Sequence, residues 1–186
     1  MNTALPDGSL DPGSPGGSPS RIPLRREGEA PAEPRLRPHR RQPAHGVHVQ
    51  RSLPTIVFVT VCSKDRQPWL ATPEVHGSLL SAWREASAWQ VGRYVVMPDH
   101  VHLFAAPGTP ELPLENWVRF WKSKFTKMDQ VPAHQWQTSH WDRRLRSVDS
   151  YEEKWEYVRN NPVRHALVQH AEDWPFQGEL NVLQWY

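Results

Sequence analysis

The sequence has little cysteine, no long apolar run and no aromatic residue near its N-terminus. Its single cysteine, Cys62, excludes an intramolecular disulfide framework and a Cys-x-x-Cys metal site. No apolar run approaches the ~20 residues of a membrane span, and residues 1–10 lack the charged start and apolar stretch of a secretory signal. The composition therefore predicts a soluble protein of a reducing cytoplasm with no membrane partner.

Aromatic residues are absent from the first 50 positions, which hold 9 of the 19 prolines and 6 of the 10 glycines. A segment of this composition buries too little apolar surface to offset its chain entropy. We expect residues 1–50 to form a disordered tail rich in proline, glycine and arginine, and residues 51–186 to form one folded domain. The tail has seven arginines against five acids, whereas the remainder has 15 lysines or arginines against 15 acids. Any anion-binding surface in the domain must therefore come from local clustering of cations.

Apolar patterning predicts strands and helices that alternate between residues 54 and 162. Thr72 supplies an N-cap with Pro73 at the first helical position, and Asp149 with Glu152 forms an acidic capping box before a helix that Pro162 interrupts. The full prediction comprises strands at 54–62, 90–97, 101–106 and about 141–147, and helices at about 72–89, 114–128 and 149–160. This order predicts an α+β fold in which helices pack on an antiparallel sheet.

Two histidines at the start of the third strand form the first candidate site. Because side chains alternate along a strand, His100 and His102 project from one face while Val101 points into the core. Two imidazoles on one face can chelate a divalent cation, although in a chain with ten histidines such a spacing is more often structural. The apolar residues around the pair predict that it lies at the edge of an otherwise apolar sheet, which favours a metal site.

The end of the last predicted helix carries a second candidate pair. Tyr157 and Asn161 are four residues apart, so we expect them to share a helix face. Asn161 can then present its amide oxygen to a metal ion beside the phenol of Tyr157. A half-buried packing tyrosine followed by an Asn160-Asn161-Pro162 helix stop explains the same residues, and taken alone they favour this structural interpretation.

The third candidate is a helix in which aromatic residues alternate with cations. Residues 117–127 contain no acid and four cations, which are Arg119, Lys122, Lys124 and Lys127. At helical spacing the aromatic residues form an inward or base-stacking side, while the cations can meet phosphates; these aromatic residues are Trp117, Phe120, Trp121 and Phe125. A solvated amphipathic helix is an equally compatible interpretation.

These candidates occur together in a pattern that resembles the single-tyrosine HUH transposases, and in particular the REP-associated tyrosine transposases. The resemblance rests on Met97-Pro98-Asp99-His100-Val101-His102-Leu103, on the basic aromatic helix, and on Tyr157-Val158-Arg159-Asn160-Asn161-Pro162-Val163-Arg164, which have the family's order and rough spacing. It covers roughly residues 52–180 and implies the ferredoxin-like HUH endonuclease fold. His165-Ala166 departs from the family pattern, in which a glycine is expected nearby.

The resemblance also implies a reaction and a role for each candidate residue. His100 and His102 correspond to the metal-binding pair, Asn161 to a further polar ligand, and Tyr157 to the nucleophile; the implied cofactor is Mg²⁺ or Mn²⁺. The implied substrate is single-stranded DNA with hairpins at REP-like palindromes, cut through a 5′-phosphotyrosine without ATP. The resemblance further implies a monomer or homodimer that associates with the nucleoid. It leaves open whether two chains exchange helices.

Two other functions stay compatible with the sequence. The first is a catalytically inactive protein of the same fold that binds hairpin DNA. The second is a hydrolytic metalloenzyme with a small-molecule substrate, which predicts activity without Tyr157 and without DNA. A covalent adduct between the protein and a single-stranded oligonucleotide distinguishes the transposase from both.

Overall fold

The computed structural model describes residues 49–50, 53–108, 112–145 and 147–184, all of which belong to one compact unit of the chain, Arg35–Tyr186. The other unit, Met1–Pro34, and the predicted tail up to residue 48 lie outside the described residues. The last two residues assigned to the tail, Val49–Gln50, form a short strand. None of the helices in the described part of the chain has the length and apolar character needed to cross a bilayer.

A five-stranded antiparallel sheet forms the centre of the fold, with the spatial order β6-β3-β5-β4-β7. Its strands are β3 (Val57–Cys62), β4 (Trp89–Val96), β5 (His100–Pro107), β6 (Trp141–Arg144) and β7 (Gln177–Glu179). The remaining strands, β1 (Val49–Gln50) and β2 (Leu53–Pro54), pair with each other in a separate two-stranded sheet. The predicted α+β class is confirmed, and β5 is the central strand, buried along its whole length.

Helices lie on both faces of this sheet. The helices α1 (Pro73–Glu85) and α2 (Leu114–Asp129) pack against each other and, together with the odd-numbered residues of β3 and β5, form one apolar cluster. The helix α3 (Val148–Arg159) and the chain that follows the short helix α4 (Asn161–Arg164) contribute to a second cluster on the opposite face. Side chains on either face of β5 are therefore enclosed.

The first helix begins as the sequence predicts. The Thr72 hydroxyl accepts a hydrogen bond from the Val75 backbone N–H at 3.3 Å, and Pro73 lies in the first turn, where its missing N–H costs nothing. The helix ends at Glu85, before the predicted end at Trp89, because Trp89 begins β4 and pairs with β5.

The capping box of α3 differs from the prediction. The N-cap is Ser147, whose hydroxyl accepts from the Ser150 backbone N–H, while the Ser150 hydroxyl accepts from the Ser147 backbone N–H. The prediction of Asp149 and Glu152 is wrong, because the helix begins at Val148 and both serines are in position to bond its first turn.

Candidate active site

The two histidines of β5 lie on the sheet face that α3 covers. Their Nε2 atoms are 3.1 Å apart, and the side chains of His100 and His102 are 1% and 7% exposed. The predicted alternation is confirmed, since Val101 belongs to the apolar cluster on the opposite face. The predicted position at the sheet edge is wrong, because β3 and β4 flank β5 and apolar residues cover both of its faces.

Asp99 orients the ring of His100. Its Oδ1 lies 2.7 Å from His100 Nδ1, and its Oδ2 lies 2.6 Å from Nε of Arg66. Burial raises the pKa of Asp99, but the hydrogen bond and charge of His100, with the charge of Arg66, outweigh burial and hold that pKa below its usual value. An ionised carboxylate can only accept, so His100 Nδ1 donates; when the ring is neutral, as a metal ligand must be, Nε2 carries the lone pair.

Thr60 and Phe58 hold the second ring. The Thr60 hydroxyl is 2.8 Å from His102 Nδ1, and the Phe58 ring stacks on the imidazole with centroids 5.3 Å apart. A hydroxyl either donates or accepts, so Thr60 supports both tautomers of His102. In one tautomer His102 donates its Nε2–H to His100; in the other, both Nε2 atoms present lone pairs to the same point.

This arrangement fits a divalent cation. Two ligands bound at about 2.1 Å to one cation lie roughly 3 Å apart when they meet it at a right angle, which agrees with the 3.1 Å between the Nε2 atoms. A carboxylate on the Nδ1 side, as Asp99 provides for His100, is a usual support of a metal-binding imidazole. The part of the chain that the structure describes contains no group of three His, Cys, Asp or Glu side chains able to hold a metal. A further ligand from the described residues would be of another kind, such as an amide.

Tyr157 lies on α3 between two cations. Its side chain is 37% exposed, and its ring centroid is 4.9 Å from Lys154 Nζ and 4.4 Å from Arg164 Cζ. Lys154 Nζ also lies 5.2 Å from the centroid of Phe58, the ring that stacks on His102. These contacts connect Tyr157 to the histidine pair through Lys154 and Phe58 within a single chain.

Asn161 begins α4 and does not continue α3. The prediction that Asn161 lies on the same helix as Tyr157 is wrong, because α3 ends at Arg159 and Asn160 lies between the two helices. The Asn161 side chain is fully buried, and its Oδ1 accepts a hydrogen bond from Arg164 Nη1 at 3.1 Å. Since Arg164 also lies over the Tyr157 ring, it connects the predicted amide ligand to the predicted nucleophile.

The four cations of α2 differ in their neighbours. Lys124 and Lys127 follow Phe120 at helical spacing, and Lys124 Nζ lies 5.6 Å from the Phe120 centroid and 2.7 Å from Oε2 of Glu85. Phe120 is 47% exposed, unlike the other aromatic residues of the predicted side, which are buried: Trp117, Trp121 and Phe125. The side of α2 with Phe120 therefore combines an exposed ring with two cations.

Arg119 and Lys122, the other two cations of α2, are each bound by a neighbouring group. Arg119 pairs with Glu115 at 2.9 Å, and Lys122 Nζ donates to the backbone carbonyl of Gln137 at 2.7 Å. Burial lowers the pKa of Lys122 to about 8, although the charge of Cys62 acts in the opposite direction. The acids that pair with Arg119 and Lys124, Glu115 and Glu85, lie outside residues 117–127. Counting charges within residues 117–127 alone therefore overestimates the positive charge of this surface.

Several residues of the site were not predicted from the sequence. Thr60 meets His102 because β3 and β5 pair in a register that sets these two residues opposite each other. Arg66 approaches Asp99 from a turn after β3, so no local pattern indicates the contact. Lys154 is different, because its position three residues before Tyr157 is itself a signal that both share a helix side.

Comparison with known proteins identifies relatives of the chain, although no family model matches it. It is 27% identical over 123 residues to the REP-associated tyrosine transposase of Escherichia coli (strain K12), covering 64% of this chain and 73% of that protein. A relative from Haemophilus influenzae is 21% identical over 137 residues, and the match covers 65% of this chain and 77% of the relative. A solved structure of a REP-associated tyrosine transposase bound to a REP hairpin matches with a TM-score of 0.57 and 25% identity, over 66% of this chain and 75% of that one. In sequence and in fold, this chain is therefore a relative of the REP-associated tyrosine transposases.

Proposed function

We propose that the chain is a metal-dependent single-stranded DNA endonuclease and strand transferase that acts beside hairpins, with Tyr157 as its nucleophile. The observation that carries this proposal is the series of contacts from Tyr157 through Lys154 and Phe58 to His102, on the face where two Nε2 atoms converge. The relatives support the substrate class, since they are named as REP-associated tyrosine transposases and one is bound to a REP hairpin.

The reaction is a transesterification without a co-substrate. The Tyr157 oxygen attacks phosphorus, the bond from phosphorus to the 3′ oxygen breaks, and the products are a 5′-phosphotyrosine and a 3′-hydroxyl. The phenol loses one proton and the 3′ oxygen gains one, so charge and atoms balance. Because the phosphotyrosine is a diester like its precursor, the bond energy is conserved for rejoining.

The chain supplies both the metal ligands and their supports. His100, His102 and Asn161 would hold Mg²⁺ or Mn²⁺, which when bound offsets the negative charge of the phosphate that undergoes attack. Asp99 and Thr60 keep the two imidazoles directed at one point.

The exposed part of α2 would bind the DNA backbone. Arg119, Lys124 and Lys127 are the cations proposed to meet phosphates, with the exposed Phe120 ring offered to a base. Lys122 contributes less, since its ammonium is bonded to the Gln137 carbonyl.

The proposed organisation is a catalytic domain at residues 51–186 that follows a disordered tail. Tyr157 is proposed to act beside the histidine pair of its own chain, in a monomer or a homodimer. A DNA substrate places the protein in the cytoplasm with the nucleoid.

Covalent capture tests the proposal. The full-length protein is incubated with a hairpin-bearing single strand and Mn²⁺, and an adduct stable to denaturation is measured on a gel. Tyr157→Phe should remove the adduct and leave hairpin affinity unchanged, because only the attacking oxygen is lost. An adduct in this variant contradicts the mechanism, and hairpin binding by wild type without any adduct favours the catalytically inactive DNA-binding protein.

Tyr151→Phe is the matched control. Tyr151 lies on the same helix but is buried against Phe104. Burial raises the pKa of Tyr151 to about 12, which makes this phenol a poor nucleophile. The variant should form the adduct at the wild-type rate.

A further inference from the structure

We infer that Lys154 and Arg164 form a cation clamp around Tyr157 that binds the scissile phosphate and holds the same phosphate in the 5′-phosphotyrosine. This inference rests on the proposed function and assigns the site two further catalytic residues. The two cations come from different helices, Lys154 from α3 one turn before Tyr157 and Arg164 from α4 after it. They lie 4.9 and 4.4 Å from the same ring centroid.

The position of Lys154 is costly unless an anion joins it. Burial lowers the pKa of Lys154, and the positive charge of Arg143 on β6 lowers it further. In the described part of the chain no carboxylate pairs with this ammonium, whose contacts are the rings of Phe58 and Tyr157. A second cation, Arg164, approaches the same tyrosine, so two cations from different helices contact one ring. An anion bound beside Tyr157 would offset the desolvation of Lys154 and its repulsion by Arg143.

Cation–π attraction alone does not explain this pair. A cation over the face of an exposed ring is attracted only weakly, which does not explain why two cations contact this ring. The attacked phosphodiester is an anion that must approach the Tyr157 oxygen, so it brings negative charge to the side chain that both cations contact. Lysine offers a point charge and arginine a planar fork, and both are common ligands of phosphate oxygens.

Arg164 also connects the clamp to the predicted metal ligands. Its Nη1 donates to Asn161 Oδ1 at 3.1 Å while its guanidinium lies over the Tyr157 ring. A phosphate held here would therefore lie between the nucleophile and the amide. In cleavage the bond from the Tyr157 oxygen to phosphorus forms and the bond to the 3′ oxygen breaks, so the phosphate keeps one negative charge and the clamp keeps its ligand.

The test replaces each clamp residue by an uncharged side chain of similar length. Lys154→Met and Arg164→Met should slow adduct formation at saturating DNA by about 10- to 100-fold, the cost of losing one preorganised charge in a partly exposed site. Lys154→Arg, which keeps the positive charge, should form the adduct at most of the wild-type rate. Arg159→Met is the matched control, since Arg159 lies on α3 with its guanidinium 3.3 Å from Glu156, and it should cleave as wild type.

A neutral substrate separates a charge effect from a structural one. A hairpin strand carrying a methylphosphonate at the scissile position lacks the negative charge, so wild type and Lys154→Met should differ on it by less than about threefold. An equal loss on both substrates, or an unchanged rate of Lys154→Met on ordinary DNA, overturns the clamp while leaving the nucleophile in place. The absence of any adduct with wild-type protein overturns the proposed function itself, and the clamp with it.

Discussion

Removing the charge of Asp99 should weaken metal binding without removing any metal ligand. Asp99 accepts from His100 Nδ1 at 2.7 Å and is ionised, so it fixes both the rotation of the ring and the tautomer that leaves Nε2 available. Asparagine has the same shape, but its amide oxygen is a weaker acceptor and its NH₂ group presents donors toward Nδ1 or Arg66. Loss of such a supporting group typically costs about 10- to 100-fold in metal affinity, or roughly 1.4–2.7 kcal/mol.

The assay is a Mn²⁺ titration of adduct formation with a hairpin-bearing single strand. For Asp99→Asn the half-saturating Mn²⁺ concentration should rise by about 10- to 100-fold, whereas the rate at saturating Mn²⁺ should stay within about threefold of wild type. This separation is expected because Asp99 acts through His100 and does not itself touch the DNA.

A second Asp–His pair provides the control. Asp129 Oδ2 lies 2.8 Å from His134 Nδ1, and the His134 ring stacks on Trp69, so the chemistry matches Asp99 and His100 but belongs to the end of α2. Asp129→Asn should leave the Mn²⁺ requirement unchanged. A half-saturating concentration for Asp99→Asn within about twofold of wild type would refute the reasoning, because His100 would then be oriented without its carboxylate.

Three further outcomes are expected. The pKa of Lys122 is about 8 in the fold, so the unfolded chain holds this proton more tightly, and the free energy of unfolding rises between about pH 8 and pH 10 by at most ~1.4 kcal/mol per pH unit. The urea midpoint of Lys122→Met should lack that part of the rise. The same pH dependence in Lys122→Met and wild type would contradict this expectation. Lys127→Ala should flatten the salt dependence of hairpin affinity by about 0.7–0.9 of a slope unit, whereas Lys122→Met should leave the slope unchanged; equal slopes for Lys127→Ala and wild type would show that this face of α2 is only solvated. His102→Ala should abolish metal-dependent cleavage and Asn161→Ala should weaken it less, because a neutral amide is the poorer ligand; full activity of His102→Ala in limiting Mn²⁺ makes the histidine structural.

Local patterns were sufficient for much of the fold and for part of the site. The β-branched run that forms β3 and the Thr72-Pro73 start of α1 are properties of neighbouring residues, and the structure agrees with both. The common face of His100 and His102 follows from strand alternation alone. The aromatic helix was also placed correctly, although sequence spacing did not show that Phe120 is exposed while Trp121 is buried.

Other features depend on contacts between segments that are distant in the chain. The pairing register of β3 and β5 brings Thr60 to His102 across 42 positions, and the packing of α3 on the sheet brings Lys154 to Phe58. The same packing encloses the histidine pair, whereas the apolar residues near it in the sequence predicted a position at the edge of the sheet. Periodicity tells which residues share a face, but it carries no information about which strand becomes central or what covers it. Those choices follow from burying apolar surface over the whole chain, so the supports of the two imidazoles and the two cations around Tyr157 emerge only when the domain is assembled.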